Sequence, residues 1–461
     1  MLPSSATAHH RASLRSRISD PILVMAGRPQ LRNIPINHLP YRADSTFLWL
    51  TGCTSPGAAI LLNDDGATLF VTVPPDDDAL WHGPQPSIAE QAAQLGLSRV
   101  RPLRELGTAI RPHGDSLRTL ASTDPHTNQW LRTHTGRPHH PLSHQGDPEL
   151  IAAIIDLRSQ LDEWEIEETR AIAQVTEAAH RAAMATTKVG SHEAKVGAVF
   201  DGVIAAHGLT TAYDSIVTVR GEVLHNFHRC HTLEDGQLLL LDGGAEGNSG
   251  YATDVTRTWP VNGRFNPRQK AAYQAVLDAQ AISISMCRPG TRYRDIHLAS
   301  AKVLTRFLVD EGLLRGQVDT LVERGAHALF FPHGVGHLIG LDVHDLELYG
   351  DLAGYGPGRT RSTQFGLNAL RLDRDLAAGN VVTIEPGFYV VPAILSDTHI
   401  TGPFADVLNR TVVERWLGFG GIRIEDNVHV TPTGPELLTS GIPKTVSEVE
   451  KAVSAELMPF W

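Results

Sequence analysis

Cysteine is scarce in this chain. Cys53, Cys230 and Cys287 are the only three in 461 residues, far apart and without a CxxC spacing. That argues against a disulfide framework or a thiolate zinc site and fits a reducing compartment. Long apolar runs are also missing, and none approaches the roughly 20 residues needed to span a bilayer. Met1 to Asp20 carries Arg and His but no long apolar stretch, and Pro21-Ile22-Leu23-Val24-Met25-Ala26 is too short for a secretion signal. It reads as a first strand, and the cytoplasm is the expected compartment. Positive charge is not in excess. Lys and Arg number 40 against 51 Asp and Glu, for a net charge of −11, which disfavours a broad nucleic-acid footprint.

What is present is the balance of a globular protein, 42% apolar and 20% charged. The length exceeds what one core covers, so two domains are expected, 1–147 and 148–461. In the first, short apolar runs alternate with turn residues. Phe47–Leu50, Ala58–Leu62 and Ala67–Val73 read as strands, Ile88–Gly96 and Leu103–Ile110 as short helices, giving an α/β domain. His134–Pro148, rich in His, Pro and Gly, reads as a linker. Residues 149–187 carry helical periodicity, in two helices broken near Gln160–Trp164. Asn266-Pro267 opens another helix, with Asn as the cap and Pro where a missing N–H costs nothing. That helix ends before Pro289, and a further one runs from Tyr293 to Gly312. Strands are expected over 214–219, 237–242, 251–259, 379–385, 387–392 and 421–430. With no regular βαβ period, the second domain reads as α+β with antiparallel sheet.

The chemistry lies in acids placed where strands should be apolar. Leu238–Leu241 runs directly into Asp242, and Asp254 follows twelve residues later within a strand-like segment. The Gly-rich turn between them allows a hairpin that brings the two together. Val381–Ile384 leads into Glu385, and Ile422-Arg423-Ile424-Glu425 repeats the pattern. Alternation along a strand puts Arg423 and Glu425 on one face. A buried carboxylate is costly unless paired or metal-bound. A histidine-rich segment adds His333, His337 and His344. Two Asp, two Glu and a His form an oxygen-and-nitrogen ligand set without thiolate, suited to Mn²⁺, Co²⁺, Fe²⁺ or Zn²⁺. Two divalent ions would relieve the repulsion among four carboxylates and could share a hydroxide nucleophile.

Four segments, LDGGAEGNSGYATDVTRTWP, PHGVGHLIGLDVHD, TIEPGFY and GGIRIEDNVHVT, resemble in order the metal-binding segments of the methionine aminopeptidase–prolidase superfamily. Within it they look most like the prolidase and aminopeptidase P group, and PYRADSTFLWLTGCTSPGAAILL is similar to the opening of that group's non-catalytic N-terminal domain. The resemblance implies a pita-bread catalytic domain that cleaves the bond before proline. It implies Asp242, Asp254, His337, Glu385 and Glu425 as ligands of two metal ions, Mn²⁺ by preference, with Asp254 and Glu425 bridging. It implies Glu385 as the proton-transfer group, with His225 and His344 at the substrate. His333 would line the proline side, and Tyr213 and Arg423 would orient the ligands. The Asp242–Asp254 spacing is one residue longer than in most relatives, and Tyr213–His225 is about two shorter.

Proline's tertiary amide and fixed φ make it a poor substrate for general peptidases, so a dedicated site is reasonable. A dipeptidase must also read the free carboxylate of the terminal proline, which Arg does through a bidentate pair. Arg371 resembles the carboxylate-reading Arg of prolidases, and the insert Ala393–Phe419 also looks like prolidase. The segment RNIPINHLPYRADS looks equally like aminopeptidase P. The expectation is an Xaa-Pro dipeptidase, with Xaa-Pro aminopeptidase acting on longer peptides as the alternative. A non-catalytic peptide-binding protein is the reading from another class, although all five ligands, His225 and His344 are present. Relatives that cleave organophosphate esters make a phosphotriesterase side activity a further expectation. The expected partners are a proline-containing substrate and a second copy in a homodimer, with no nucleic acid and no membrane.

Overall fold

The computed structural model describes residues 3–34, 36–75, 77–140 and 146–456. Two compact units divide the chain, Met1–Arg158 and Ser159–Trp461.

The first unit is built on a five-stranded sheet. Its order is Val100–Pro102, Gly66–Val71, Ala59–Asn63, Ile22–Met25, Arg118–Thr119. The two outermost pairings are parallel and the inner two antiparallel. Leu23, Leu61 and Phe70 project from it onto Leu106, Ile110 and Leu131 to make the core. A helix that the sequence reading did not assign, Ser4–Arg17, precedes the first strand. The linker expected over His134–Pro148 is shorter than read, because the helix Pro125–Thr135 takes its first two residues and the next helix its last, and its residues 141–145 lie outside the described residues. The helix Pro148–Arg158 packs with Ser4–Arg17 in this unit.

One expected strand is a helix. Phe47–Leu50 lies within the helix Ser45–Thr51. The Asp44 carboxylate accepts from the Phe47 N–H at 3.0 Å, and Gly52 closes the helix at φ 65°. Every residue of that helix is buried, so its apolar run had neither a two-residue nor a 3.6-residue period to read.

In the second unit every pairing between described strands is antiparallel. One sheet sets Leu238–Asp242 between Thr256–Pro260 and Ile216–Thr218, and another sets Asp426–Thr431 between Val381–Ile384 and Gly434–Leu437. The ribbon Gly387–Tyr389 pairs with Gly421–Arg423. Helices Glu163–Thr186, Glu193–Ala206, Pro267–Ser285 and Tyr293–Asp310 accompany these sheets. The break expected near Gln160–Trp164 is where Asp162 and Glu165 form a capping box. Asn266 caps its helix through the Gln269 N–H at 2.9 Å.

The strands expected in this unit are all somewhat shorter than read; 387–392 keeps only Gly387–Tyr389, since Pro392 opens the helix Pro392–Ser396, and two of the losses bear on the site. Regular pairing begins at Thr256, not 251, and the 421–430 segment is interrupted at Ile424 and Glu425. Both interruptions carry candidate acids, which leave the ladder to face inward. No described helix is long and apolar enough to cross a membrane.

Candidate metal centre and active site

Asp242 ends a fully buried strand, in register with Thr256 on one side and Ile216 on the other. Asp254 comes just before the partner strand. Its N–H donates to the Asn427 side-chain oxygen at 3.0 Å, and the Asn427 amide donates back to its carbonyl at 2.6 Å. Gly244 lets the two arms close. A Cβ there would lie 1.8 Å from the Thr253 carbonyl oxygen. Glu425 is fixed through its N–H to the Thr256 carbonyl at 3.0 Å, and its carboxylate accepts from the Thr256 hydroxyl at 2.6 Å. Glu385 sits between its two strands with its N–H on the Val335 carbonyl at 2.8 Å. The buried His337 places Nδ1 2.9 Å from the Leu338 carbonyl, so that nitrogen carries the proton and donates. Nε2 faces Asp254 at 3.4 Å and Glu385 at 3.8 Å, and although burial would lower the imidazole, its hydrogen bond to Asp254 and the charge of Glu385 raise it.

These five side chains form two groups of three. His337, Glu385 and Glu425 bring ligand atoms within 4.8 Å of one another, as do Asp242, Asp254 and Glu425. Glu425 belongs to both, so the donors suit two neighbouring cations sharing one carboxylate. The electrostatics agree. Burial pushes the Glu425 carboxyl well above its usual range, helped by Asp254, Glu385 and Asp242. Burial likewise raises Asp242 against the pull of Arg423, and raises Glu385 to about 7 against His337 and Arg423. Burial would raise Asp254 as well, but its hydrogen bond and charge interaction with His337 outweigh that and lower it. Four acids facing one guanidinium and one imidazole leave negative charge that divalent cations would neutralise.

Other predicted residues gather around this centre. The Tyr213 hydroxyl lies between Asp242 and Asp254, within hydrogen-bond reach of an oxygen of each, and shares its one proton between them. Arg423 donates to Asp242 at 2.5 Å, to the Thr256 hydroxyl at 2.9 Å and to the Tyr389 hydroxyl at 3.0 Å. His333 holds Nδ1 2.7 Å from the Gly334 carbonyl, so its Nε2 accepts from Tyr389 at 2.9 Å. Burial lowers His333 to about 3, keeping it neutral. His344 is exposed and packs edge-on against His337 with ring centres 4.4 Å apart. It is lowered to about 4 by burial and by His337. His225 is also exposed, its ring against Phe227, and its pKa is lowered by burial and then by Arg423. Arg371 lies beyond His344. Its Nη1 is 3.5 Å from His344 Nδ1 and 2.6 Å from Glu347, an acid that the sequence reading passed over. Tyr389 and Asn427 were also missed. Neither gave a signal of its own, because Asn427 stands in the mixed polar strand Asp426–Thr431 and Tyr389 reads as an ordinary core aromatic.

Residues 167–432 match metallopeptidase family M24. The chain belongs to metallopeptidase family M24. Membership implies divalent metal ions, and residues 7–118 match the aminopeptidase P N-terminal domain. This M24 chain is 30% identical over 450 residues to Xaa-Pro dipeptidase of Homo sapiens, covering 94% of this chain and 88% of that one. It is 31% identical over 425 residues to a probable Xaa-Pro aminopeptidase pepP of Penicillium rubens, covering 89% and 88%. Among solved structures it is similar to aminopeptidase PepP of Pseudomonas aeruginosa, with a TM-score of 0.82, 29% identity and 98% of each chain covered. Zinc-substituted E. coli aminopeptidase P in complex with product gives a TM-score of 0.81 at 26% identity, again with 98% of each covered. The two-domain α+β architecture and the metallopeptidase assignment therefore stand. The M24 relatives include both dipeptidases and aminopeptidases.

Proposed function

We propose that this metallopeptidase hydrolyses the bond preceding proline and acts as an Xaa-Pro dipeptidase, with catalysis in residues 148–461. The observation that carries the choice is Arg371, a guanidinium 36% exposed beside His344 at the edge of the acidic centre. Such a group can pair bidentately with the carboxylate of a terminal proline. Similarity to two aminopeptidase P structures favours the second reading, an Xaa-Pro aminopeptidase acting on longer peptides.

Asp242, Asp254, His337, Glu385 and Glu425 would hold two divalent ions, Mn²⁺ by preference with Co²⁺, Fe²⁺ or Zn²⁺ accepted. When bound, the ions supply water activation and charge for the developing oxyanion. Glu385 moves the proton: its carboxylate takes one from the attacking water and delivers it to the departing proline nitrogen. Side-chain exposure supports that role, at 17% for Glu385 against 12% for Asp242 and 8% for Asp254. His344 and His225 hold the scissile carbonyl and the peptide, and neutral His333 lines the proline side. Tyr213 and Arg423 keep the aspartates in place. The protein works as a cytoplasmic homodimer, and a monomer in light scattering would remove that part.

The test is hydrolysis of Ala-Pro against Ala-Pro-Ala by the Mn²⁺-loaded protein, with Arg371→Ala as control. The dipeptidase reading expects a preference for Ala-Pro that the variant loses. Preference for Ala-Pro-Ala, unchanged in the variant, would make the protein an aminopeptidase.

A further inference from the structure

Glu347 is an odd neighbour for a carboxylate-reading arginine. Its Oε2 accepts from Arg371 Nη1 at 2.6 Å, while its Oε1 is buried without a hydrogen-bond partner. A carboxylate normally makes several such bonds, and leaving one oxygen dry is costly. The residue before it, Leu346, has φ 63°, the one positive φ outside glycine among the described residues. A branched apolar side chain in that conformation is strained. Glu347 lines a cavity of about 110 Å³ whose walls also include His337 and Arg371.

We infer that Glu347 is a specificity-determining residue that occupies Arg371 in place of the substrate's terminal carboxylate and must yield to it. The inference rests on the dipeptidase reading of Arg371. Glu347 engages the guanidinium through one oxygen only, whereas a free carboxylate can take two parallel N–H donors. The incoming group therefore wins, at the cost of expelling a like charge. This exchange admits ligands that end in a carboxylate close to the proline ring. It resists those in which the proline is followed by another residue, because they offer nothing to displace Glu347.

The experiment compares Glu347→Gln, Arg371→Ala and the double variant, all Mn²⁺-loaded, measuring KM and kcat for Ala-Pro and inhibition by free L-proline. Glu347→Gln should lower KM for Ala-Pro and the inhibition constant of proline about tenfold, the scale of releasing the guanidinium from one competing charged hydrogen bond. In the Arg371→Ala background the same change should move either constant less than about twofold, because the coupling runs through Arg371. Glu347→Ala provides a second route to the same result. An unchanged or raised KM in both Glu347 variants, with the dipeptide preference intact in the wild type, overturns this inference alone. An equal gain with and without Arg371 also overturns it. A wild-type protein without dipeptide preference overturns both readings.

Discussion

Glu425 and Asp426 are consecutive acids in one strand region, and they meet opposite surroundings. Glu425 faces three other carboxylates, and burial pushes it well above its usual range. Asp426 faces Arg257 at 2.7 Å, Lys444 at 2.8 Å, the Gln280 amide at 3.0 Å and the Thr439 hydroxyl at 2.7 Å. Burial would raise it too, but Arg257 and Lys444 lower it. Side chains alternate along a strand, so one step along the backbone exchanges one environment for the other. The chain supplies full countercharge on one side and too little on the other, where Arg423 and His337 face four acids. The second side is where an external cation belongs. The two are tied together, because Arg257 also donates to the Glu425 carbonyl and so holds the backbone of the acidic side.

Paired amide substitutions sharpen this contrast. The largest effect is expected on the acidic side. Glu425→Gln should lose bound metal and more than about a hundredfold of activity, and Glu385→Gln should lose about 10²–10⁴-fold even when excess ion restores its metal content. Metal analysis alongside kcat separates the two, and near wild-type turnover by metal-loaded Glu385→Gln would sink its proton-transfer role. In the metal-stripped protein, Glu425→Gln should change stability by less than about 1 kcal/mol, since burial already favours a neutral group there.

The compensated side should respond in reverse. Asp426→Asn removes the anion from a fully buried pair with Arg257 and should cost about 3–5 kcal/mol in urea denaturation. A loss as small as that of Glu425→Gln would show that the two environments do not differ as described.

The smallest effect is on pH dependence. Glu385 is raised from 4.5 to about 7, so its contribution to folding is present below pH 4.5 and lost as pH rises through about 7. Asp426 is lowered, so its contribution is present above 3.8 and lost as pH falls further. Metal-stripped protein should therefore lose melting temperature between pH 4.5 and 7, while metal-loaded protein should not. Parallel curves with and without chelator would refute the account of Glu385.

The acidic side was legible in the sequence because its residues violate a local rule: a charge at the end of an apolar strand stands out in one dimension. The compensating side was not. Arg257, Asp426 and Lys444 each look like ordinary polar residues, and only folding brings them together. Glu347 and Tyr389 escaped for the same reason, since their partners Arg371, His333 and Arg423 lie far along the chain. Helices with a polar cap and a proline in the first turn, such as Pro267–Ser285 after Asn266, could be placed to within a residue or two at their starts. The helix Ser45–Thr51 could not, because burial on every side erased its stripe and left Asp44 as the only clue. The strand expected from residue 251 starts late because Asn427, 173 residues away in the chain, takes the backbone hydrogen bonds of Asp254 that a ladder would have used.

Gly244 has no side chain to contribute, yet it decides whether Asp254 can stand beside Asp242. A single added methyl group would collide with the Thr253 carbonyl and push the neighbouring acid outward. For anyone reading natural variants of this chain, a glycine-to-alanine change there belongs in the same class as loss of a ligand, although a scale of side-chain similarity would score it as among the mildest replacements available.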